Sequence, residues 1–111
     1  MVRVEDCFNL QELVGIGEID FGQIPPTKYE RKIYTIIMNN RSTATNRLLL
    51  RQYAADGTTL EVEWAFEIGA IDTIDIVSDK ESPILSIPAG CFLKAVASAA
   101  SIQLVLSAYD I

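Results

Sequence analysis

Carboxylates are the most numerous side chains in this sequence that could do chemistry, and three of them stand close together. Glu61, Glu63 and Glu67 lie in the stretch TTLEVEWAFEIGA, where every second residue is apolar. If that stretch is a strand, the three carboxylates share one face and present oxygen ligands of the kind that Ca²⁺ prefers. Carboxylates on one face of a strand are far more often a solvated surface. The pattern therefore favours a solvated face over a calcium site.

Acid–base catalysis has few candidates because the chain contains no histidine. At neutral pH this work would fall to carboxylates, to Lys94 or to tyrosines with strongly shifted pKa values. A second acidic group, Asp72, Asp75 and Asp79, lacks the spacing and the closing glutamate of a calcium loop. We predict no catalytic, cofactor-binding or metal-binding residue, and we expect a non-enzymatic protein that uses no cofactor.

The two cysteines, Cys7 and Cys91, allow two readings. Two thiols without histidine do not complete a structural zinc site, which takes four Cys or His ligands. Cys91 stands beside Phe92 in an apolar run, and this favours a buried, inert thiol. A disulfide between the two would tie the N-terminal segment to the late strands, but a reducing cytoplasm disfavours it before release from the cell. Whether Cys7 and Cys91 form disulfide bonds within a subunit or between subunits stays open.

The charge balance narrows the class of partner. The 111 residues carry nine Lys or Arg against fifteen Asp or Glu, a net charge of -6. Binding to phosphate requires clustered basic residues, and the nearest cluster, Lys28, Arg31 and Lys32, is interrupted by Glu30. Acidity also disfavours anionic membrane surfaces, and no apolar run approaches the ~20 residues that span a bilayer. We therefore expect no nucleic-acid or membrane partner.

Alternation of apolar with other residues predicts β-strands. The apolar side chains of the glutamate-rich stretch share one strand face: Leu60, Val62, Trp64, Phe66 and Ile68. Trp64 belongs to that face, so core packing is favoured over stacking on a sugar. Upstream, Asp56-Gly57 tolerates positive φ, and strands near 47–55 and 58–68 should pair as a hairpin. The segment RKIYTIIMNN predicts an earlier strand that ends at Asn39-Asn40.

The last third of the chain predicts short strands and then a terminal hairpin. IDTIDIVSD and SPILSIPAG each predict one short strand. CFLKAVAS and IQLVLSAYDI follow, joined by a turn at 99–101, and we expect these two strands to pair with each other. In the last strand the positions that alternate with apolar residues are themselves uncharged: Gln103, Val105, Ser107 and Tyr109. A strand uncharged on both faces is predicted to be covered on both sides, with a neighbouring subunit covering what the domain leaves bare.

These segments predict one all-β domain, an antiparallel β-sandwich of jelly-roll or Greek-key-like type with an extended N-terminal arm. Residues 1–28 form the arm or an edge segment, since Gly15, Gly17 and Gly22 interrupt any long helix and Pro25-Pro26 ends the segment. Residues 29–111 form the sandwich core. A glycine-punctuated arm of this kind is suited to adding a strand to a partner's edge.

The stretches MNNRSTATNRLLLRQY, IPAG and ASAASIQLVLSAYD resemble small β-sandwich virion structural proteins of tailed bacteriophages, the head-decoration and related capsid- or tail-attached modules. The resemblance covers roughly the C-terminal two thirds of the chain. It implies a capsid decoration or cement subunit that forms a homo-oligomer, with a trimer favoured, and that binds a major capsid or other virion protein.

The location that this resemblance implies is the virion. Glu5 and Asp6 stand where a signal peptide would have its apolar stretch, so synthesis in the host cytoplasm is expected. Two alternatives stay open. One is a tail or neck component of the same fold, and the other is a carbohydrate- or ligand-binding β-sandwich module.

Overall fold

A computed structural model describes residues 7–99 and 101–111, and these residues form nine β-strands in two antiparallel sheets. Sheet A contains β1 (Cys7–Val14), β3 (Glu30–Asn40), β6 (Thr73–Val77), β7 (Leu85–Pro88) and β9 (Ile102–Asp110). Sheet B contains β2 (Ile19–Gln23), β4 (Asn46–Tyr53), β5 (Leu60–Ile68) and β8 (Phe92–Ala97). The predicted all-β antiparallel sandwich is confirmed.

The order of strands decides between the two topologies that the sequence left open. Sheet A runs β1-β9-β3-β6, with β7 also paired to β3, and sheet B runs β2-β8-β4-β5. Early strands therefore pair with late ones, β1 with β9 and β2 with β8, while β4 and β5 pair at the middle of the chain. This is the arrangement of one long hairpin rolled into two sheets, which defines a jelly roll.

The core lies between the inner faces of the two sheets. The fully buried large side chains come from both sheets and from the segment before β3: Ile24, Ile33, Ile36, Met38, Leu48, Leu50, Ile68, Ile87, Leu93, Ile102, Leu104 and Leu106. Along β3 the register against β9 shifts between Ile33 and Thr35. The extra residue changes which positions point inward, from Arg31 and Ile33 to Ile36 and Met38.

The hairpin predicted around Asp56-Gly57 is confirmed, since β4 and β5 pair antiparallel, with one register shift between Gln52 and Tyr53. Its loop is longer than a two-residue turn. The Ala54 N–H donates to the Thr59 carbonyl at 2.8 Å, and the Gly57 N–H donates to the Ala54 carbonyl at 2.8 Å. Gly57 has φ +74, the left-handed conformation that the sequence assigned to this pair.

The predicted terminal hairpin is wrong. β8 lies in sheet B between β2 and β4, whereas β9 lies in sheet A between β1 and β3. The turn that we expected to fold one strand back on the other instead crosses from one sheet to the other. A hairpin and a crossover have the same local signal, two apolar strands around small residues, and only the distant partner strands distinguish them.

From Cys7 onward, the N-terminal segment supplies an edge strand to each sheet. β1 lies at the edge of sheet A and β2 at the edge of sheet B. After β2, Ile24 is fully buried and its N–H donates to the carbonyl of Cys91 at 2.8 Å. This segment therefore packs against the latest strands in the sequence, and both sheets depend on it.

One ion pair is largely shielded from solvent near the end of the last strand. Arg31 donates to both carboxylate oxygens of Asp110, at 2.7 and 3.0 Å. The guanidinium also lies over the ring of Phe8, 4.8 Å from its centroid. A forked guanidinium suits both contacts, and together they join β1, β3 and β9 at one end of sheet A.

Candidate interaction surfaces

One part of the outer face of sheet A, which we call face A, is almost free of charge, whereas the other end of that outer face carries the Lys32–Glu30 ion pair. The register places three positions from each of four strands side by side: Asn9, Gln11 and Leu13; Gln103, Val105 and Ser107; Thr35, Ile37 and Asn39; Thr73, Asp75 and Val77. Asp75 is the single charged side chain among them. The exposed sheet faces of antiparallel sandwiches are usually polar, so this face needs an explanation.

Apolar side chains on face A are accessible to solvent. Leu13 is 53% exposed and Val77 is 69% exposed, although each stands in a regular strand. Val105 and Ile37, at the centre of the face, are half-buried. They pair directly across β9 and β3. Exposed apolar groups with polar but uncharged neighbours are typical of protein–protein contacts, whose centres are depleted in charge.

The outer face of sheet B, face B, is charged and internally paired. It carries these side chains: Asp20; Phe92, Lys94 and Val96; Arg47, Leu49, Arg51 and Tyr53; Glu63, Ala65 and Glu67. Arg51 contacts Glu63 at 2.9 Å and Glu18 at 3.2 Å. Lys94 lies 4.0 Å from Asp20 and donates to the Gly57 carbonyl at 2.9 Å. A face with this density of charge is a solvated surface.

Tyr53 extends the charged network on face B. Its hydroxyl donates to the Glu18 carboxylate at 2.6 Å. That hydrogen bond raises the pKa of Tyr53 above its ordinary value, because a phenolate in its place would face a carboxylate. Lys94 also lies 4.7 Å from the centroid of the Tyr53 ring. Tyr53 and Lys94 on face B therefore contact groups of the protein itself.

Two of the three glutamates of β5, Glu61 and Glu63, accept hydrogen bonds from donors of the protein itself. Glu63 accepts from Arg51, and Glu61 accepts from the Gln52 amide at 3.0 Å. In residues 7–99 and 101–111, no three or more His, Cys, Asp or Glu side chains are grouped so as to hold a metal ion. Asp72 and Asp79 accept backbone N–H groups of their own loops. A register shift between Gln52 and Tyr53 places Glu61 beside the inward-facing Gln52, whereas Glu63 bonds to Arg51 on face B, so the prediction that Glu61, Glu63 and Glu67 share one face is wrong.

Cys91 lies beside Glu61, half-buried, and its thiol is 3.4 Å from the carboxylate. Burial raises the pKa of the Cys91 thiol, and the hydrogen bond and negative charge of Glu61 raise it further. A raised pKa reduces the thiolate fraction and so the reactivity of this cysteine. No disulfide joins Cys91 to Cys7 within the chain, and Cys7 lies opposite Tyr109 in sheet A.

The predicted cover of the last strand is partly supplied by the chain itself. Tyr109 is 5% exposed, and its hydroxyl donates to the carbonyl of Lys80 at 2.7 Å. The loop between β6 and β7 therefore covers Tyr109, and the expectation that a neighbouring subunit does so is wrong for this residue. Val105 and Ser107, further along the same face, are half-buried. Sequence reasoning missed the loop because the contact spans 29 positions.

The aromatic residues do not form a sugar-binding platform. Trp64 is half-buried and packs against the core, as its place in the alternation predicted. Tyr29 is 86% exposed but belongs to a separate segment before β3. The described part of the chain has no pocket, and it contains no helix that is long and apolar enough to cross a membrane.

The geometry defines a jelly-roll sandwich with one charged and one uncharged broad face. No family model matches the sequence, and no curated protein matches it either. Similar folds occur among solved structures. One is described as "Bacillus endospore appendages form a novel family of disulfide-linked pili", with a TM-score of 0.52 and 8% identity over 96% of this chain and 86% of that one.

A second solved structure, described as "Crystal structure of PirA", has a TM-score of 0.51 and 11% identity. The match covers 99% of this chain and 97% of that one. At these identities the likeness concerns the fold alone, and a fold of this kind carries many functions. Both matches cover nearly the whole of this chain, so the likeness extends over both of its sheets.

Proposed function

We propose that this chain is a non-enzymatic structural subunit that works by assembling with copies of itself. The observation that carries the proposal is face A, where one charged side chain stands among twelve outward positions and apolar side chains meet solvent. Copies of an acidic protein repel one another. A contact through face A brings together the part of the surface that carries the least charge.

The size of the face suits such an assembly. The molecule measures 42 × 30 × 17 Å, so each of its two broad sides extends over 42 × 30 Å. Each partner in a standard protein–protein interface contributes roughly 800 Å². The broad side of the molecule that carries face A can supply this area without any rearrangement of the chain, and the centre of face A, Val105 and Ile37, is apolar as interface centres are.

Two specific settings fit this general role. The sequence resemblance implies capsid decoration in a tailed bacteriophage, with a trimer binding across the shell and stabilising it because it binds assembled lattice better than free subunits. One of the proteins that share the fold is described as forming pili, which are also built from repeated subunits. In both settings the subunit acts by repetition, and a tail or neck component would act in the same way.

The experiment compares one substitution on each face. Val105→Lys places a charge at the centre of face A, and Leu49→Lys places the same charge at the matching half-buried position of face B. Sedimentation velocity over a concentration series measures the assembly of each purified variant. We expect Val105→Lys to reduce association about tenfold or more and Leu49→Lys to leave it near the wild-type value.

Two results would overturn the proposal. In the first, wild-type protein stays monomeric at every concentration and does not incorporate into the particle or fibre from which it is isolated. In the second, both lysine variants weaken association equally, so that face A has no special part. Circular dichroism of each variant checks that the fold is retained before association is compared.

A further inference from the structure

Of the four sheet edges in the described part of the chain, three carry features that block pairing with another strand. β5 presents Glu61, Glu63 and Glu67. β2 is five residues long, contains Gly22 at φ +93, and has an irregular register against β8. The other edge of sheet A is divided into two short strands, β6 and β7, the second ending at a proline. Short, charged or irregular edges resist edge-to-edge association.

β1 lacks all of these features. It runs eight residues as CFNLQELV, with no proline, glycine or lysine and with Glu12 as its one charge. Its register against β9 is continuous from Cys7 to Val14. A regular, nearly uncharged edge of this length is a template for another strand.

The hydrogen-bond pattern shows which backbone groups β1 leaves open. Ile111 and Glu30 exchange N–H to carbonyl bonds at 3.0 and 3.4 Å, and the Arg41 N–H donates to Ser101 at 3.2 Å. Odd-numbered residues of β9 therefore bond to β3, and even-numbered ones bond to β1, because antiparallel ladders alternate. The partners of those even-numbered residues are Phe8, Leu10, Glu12 and Val14.

The backbone N–H and carbonyl groups of the alternate residues Asn9, Gln11 and Leu13 consequently point away from sheet A at its edge. We propose that this edge pairs with the β1 strand of a second copy, antiparallel about a two-fold axis. The two copies of sheet A then form one continuous sheet. β1 is the one open edge that we find in the described residues, so the same edge on another copy is its natural complement.

The two-fold axis limits the register of this pairing. Side chains that point into the sandwich must lie opposite side chains of the partner that also point into the sandwich. The two-fold axis therefore passes through one residue position, which is the same in both strands. With the axis at Leu10, Asn9 lies opposite the partner's Gln11, and Cys7 lies opposite the partner's Leu13. The two Asn9–Gln11 pairs would then exchange about four backbone hydrogen bonds, and the Leu13 N–H of each copy would face the partner's β1. Glu12 lies opposite the partner's Phe8 and not opposite another Glu12.

The inference rests on the proposed self-assembly but uses a different surface, the edge of sheet A rather than face A. Pairing through β1 places the two uncharged faces side by side in one larger sheet. It also covers part of Leu13, which is 53% exposed in the single chain. An edge contact and a face contact on the same subunit would together build an extended assembly.

The test compares two substitutions at one position. Gln11→Pro removes an N–H that points to the open edge, and proline is tolerated at such edge positions. Gln11→Thr removes the same side-chain amide but keeps the N–H, so it is the matched control. We expect Gln11→Pro to weaken edge pairing about tenfold or more in sedimentation equilibrium, and Gln11→Thr to change it less than about threefold. Melting temperatures verify that both variants are folded.

Amide hydrogen exchange on the unmodified protein gives an independent measurement. The N–H groups of Asn9, Gln11 and Leu13 should exchange rapidly at low concentration and become protected as the dimer forms. Val105→Lys should remove association through face A and still sediment as a dimer, whereas Val105→Lys with Gln11→Pro should be monomeric. A monomeric Val105→Lys variant overturns the edge pairing while leaving the proposed function intact.

Two further outcomes count against the second copy as occupant. One is equal association of Gln11→Pro and Gln11→Thr. The other is protection of the three amides that occurs only when a different purified protein of the same particle or fibre is added. If instead Gln11→Pro abolishes the dimer and Val105→Lys has no effect on any association, edge pairing stands and the role of face A fails.

Discussion

The two outer faces of this sandwich are built on strands of similar length, but they differ in how their polar groups are used. On face B, Arg51 bonds to Glu63 and Glu18, and Lys94 bonds to Gly57. On face A the polar groups are amides and hydroxyls, with Asp75 the one charge among twelve positions. A surface that satisfies its own charges is complete in water, whereas an uncharged surface with accessible Val77 and Leu13 gains from being covered.

The two sheets also differ in how locally they form. Sheet B contains β4 and β5, which are neighbours in the chain and pair through one loop. In sheet A no strand pairs with its neighbour in sequence, and β1 pairs with β9 at the far end of the chain. Non-local pairing closes longer loops and forms more slowly. The sheet with the bare face is therefore also the one that depends most on the complete chain.

The largest effect is expected between two consecutive residues of β9. Leu106 is fully buried and Val105 faces outward. Leu106→Ala should lower the free energy of unfolding by about 3 kcal/mol because it leaves a cavity in the core. Val105→Ala should cost less than about 1 kcal/mol in the monomer. Urea denaturation at low concentration measures both, and equal costs would mean that Val105 is buried within the single chain.

Charge reversal on face B should have an intermediate effect. Arg51→Glu would place a third carboxylate between Glu18 and Glu63, replacing two attractions by repulsion, and should cost about 1–2 kcal/mol. Gln103→Glu is the matched change on face A, where the adjacent side chains are uncharged, and should cost less than about 0.5 kcal/mol. The comparison is made by urea denaturation at two salt concentrations. The contrast between the faces fails if the two variants lose the same stability.

The smallest effect concerns the hairpin that is particular to sheet B. Asp56 accepts from the Thr59 hydroxyl and from the N–H groups of Thr59 and Thr58, and these bonds lower its pKa to about 2. Because the folded pKa lies below the unfolded value of ~3.9, the stabilisation is complete above the unfolded pKa and is lost as pH falls through about 2.

Asp56→Asn keeps an acceptor but removes that titration. Between pH 5 and pH 2.5, the melting temperature should therefore fall less for Asp56→Asn than for the wild type. An unchanged pH dependence in Asp56→Asn would show that the turn contributes nothing through its charge.

Much of the fold could be predicted because strands leave a period-two signal. The alternation around Trp64 placed that residue in the core, and Asp56-Gly57 located the hairpin. The same alternation did not reveal that Leu60 and Val62, at the open end of β5, are 47% and 39% exposed. The two-residue alternation of a strand assigns each side chain to one face of the sheet. Burial of that side chain also requires a second element packed against the face, and that element is distant in sequence.

The candidate surfaces were predicted in part. The uncharged second face of β9 was visible in Val105 and Ser107, and it led to the expectation of assembly. The cover of Tyr109 by its own loop and the separation of β8 from β9 into different sheets were not visible. The register shift near Thr35 was also hidden. Each of these depends on pairing between strands that lie far apart in the chain.

The all-β class, the absence of histidine chemistry and most of the positions that alternate between core and surface can be read from the amino acids alone. These properties follow from residue types and from the two-residue repeat of a strand, which are local. The jelly-roll topology, the ion pairs of face B and the regular open edge at β1 become visible only in the folded chain. Which strands become neighbours depends on how the whole chain encloses a single core, and no short stretch of residues contains that information.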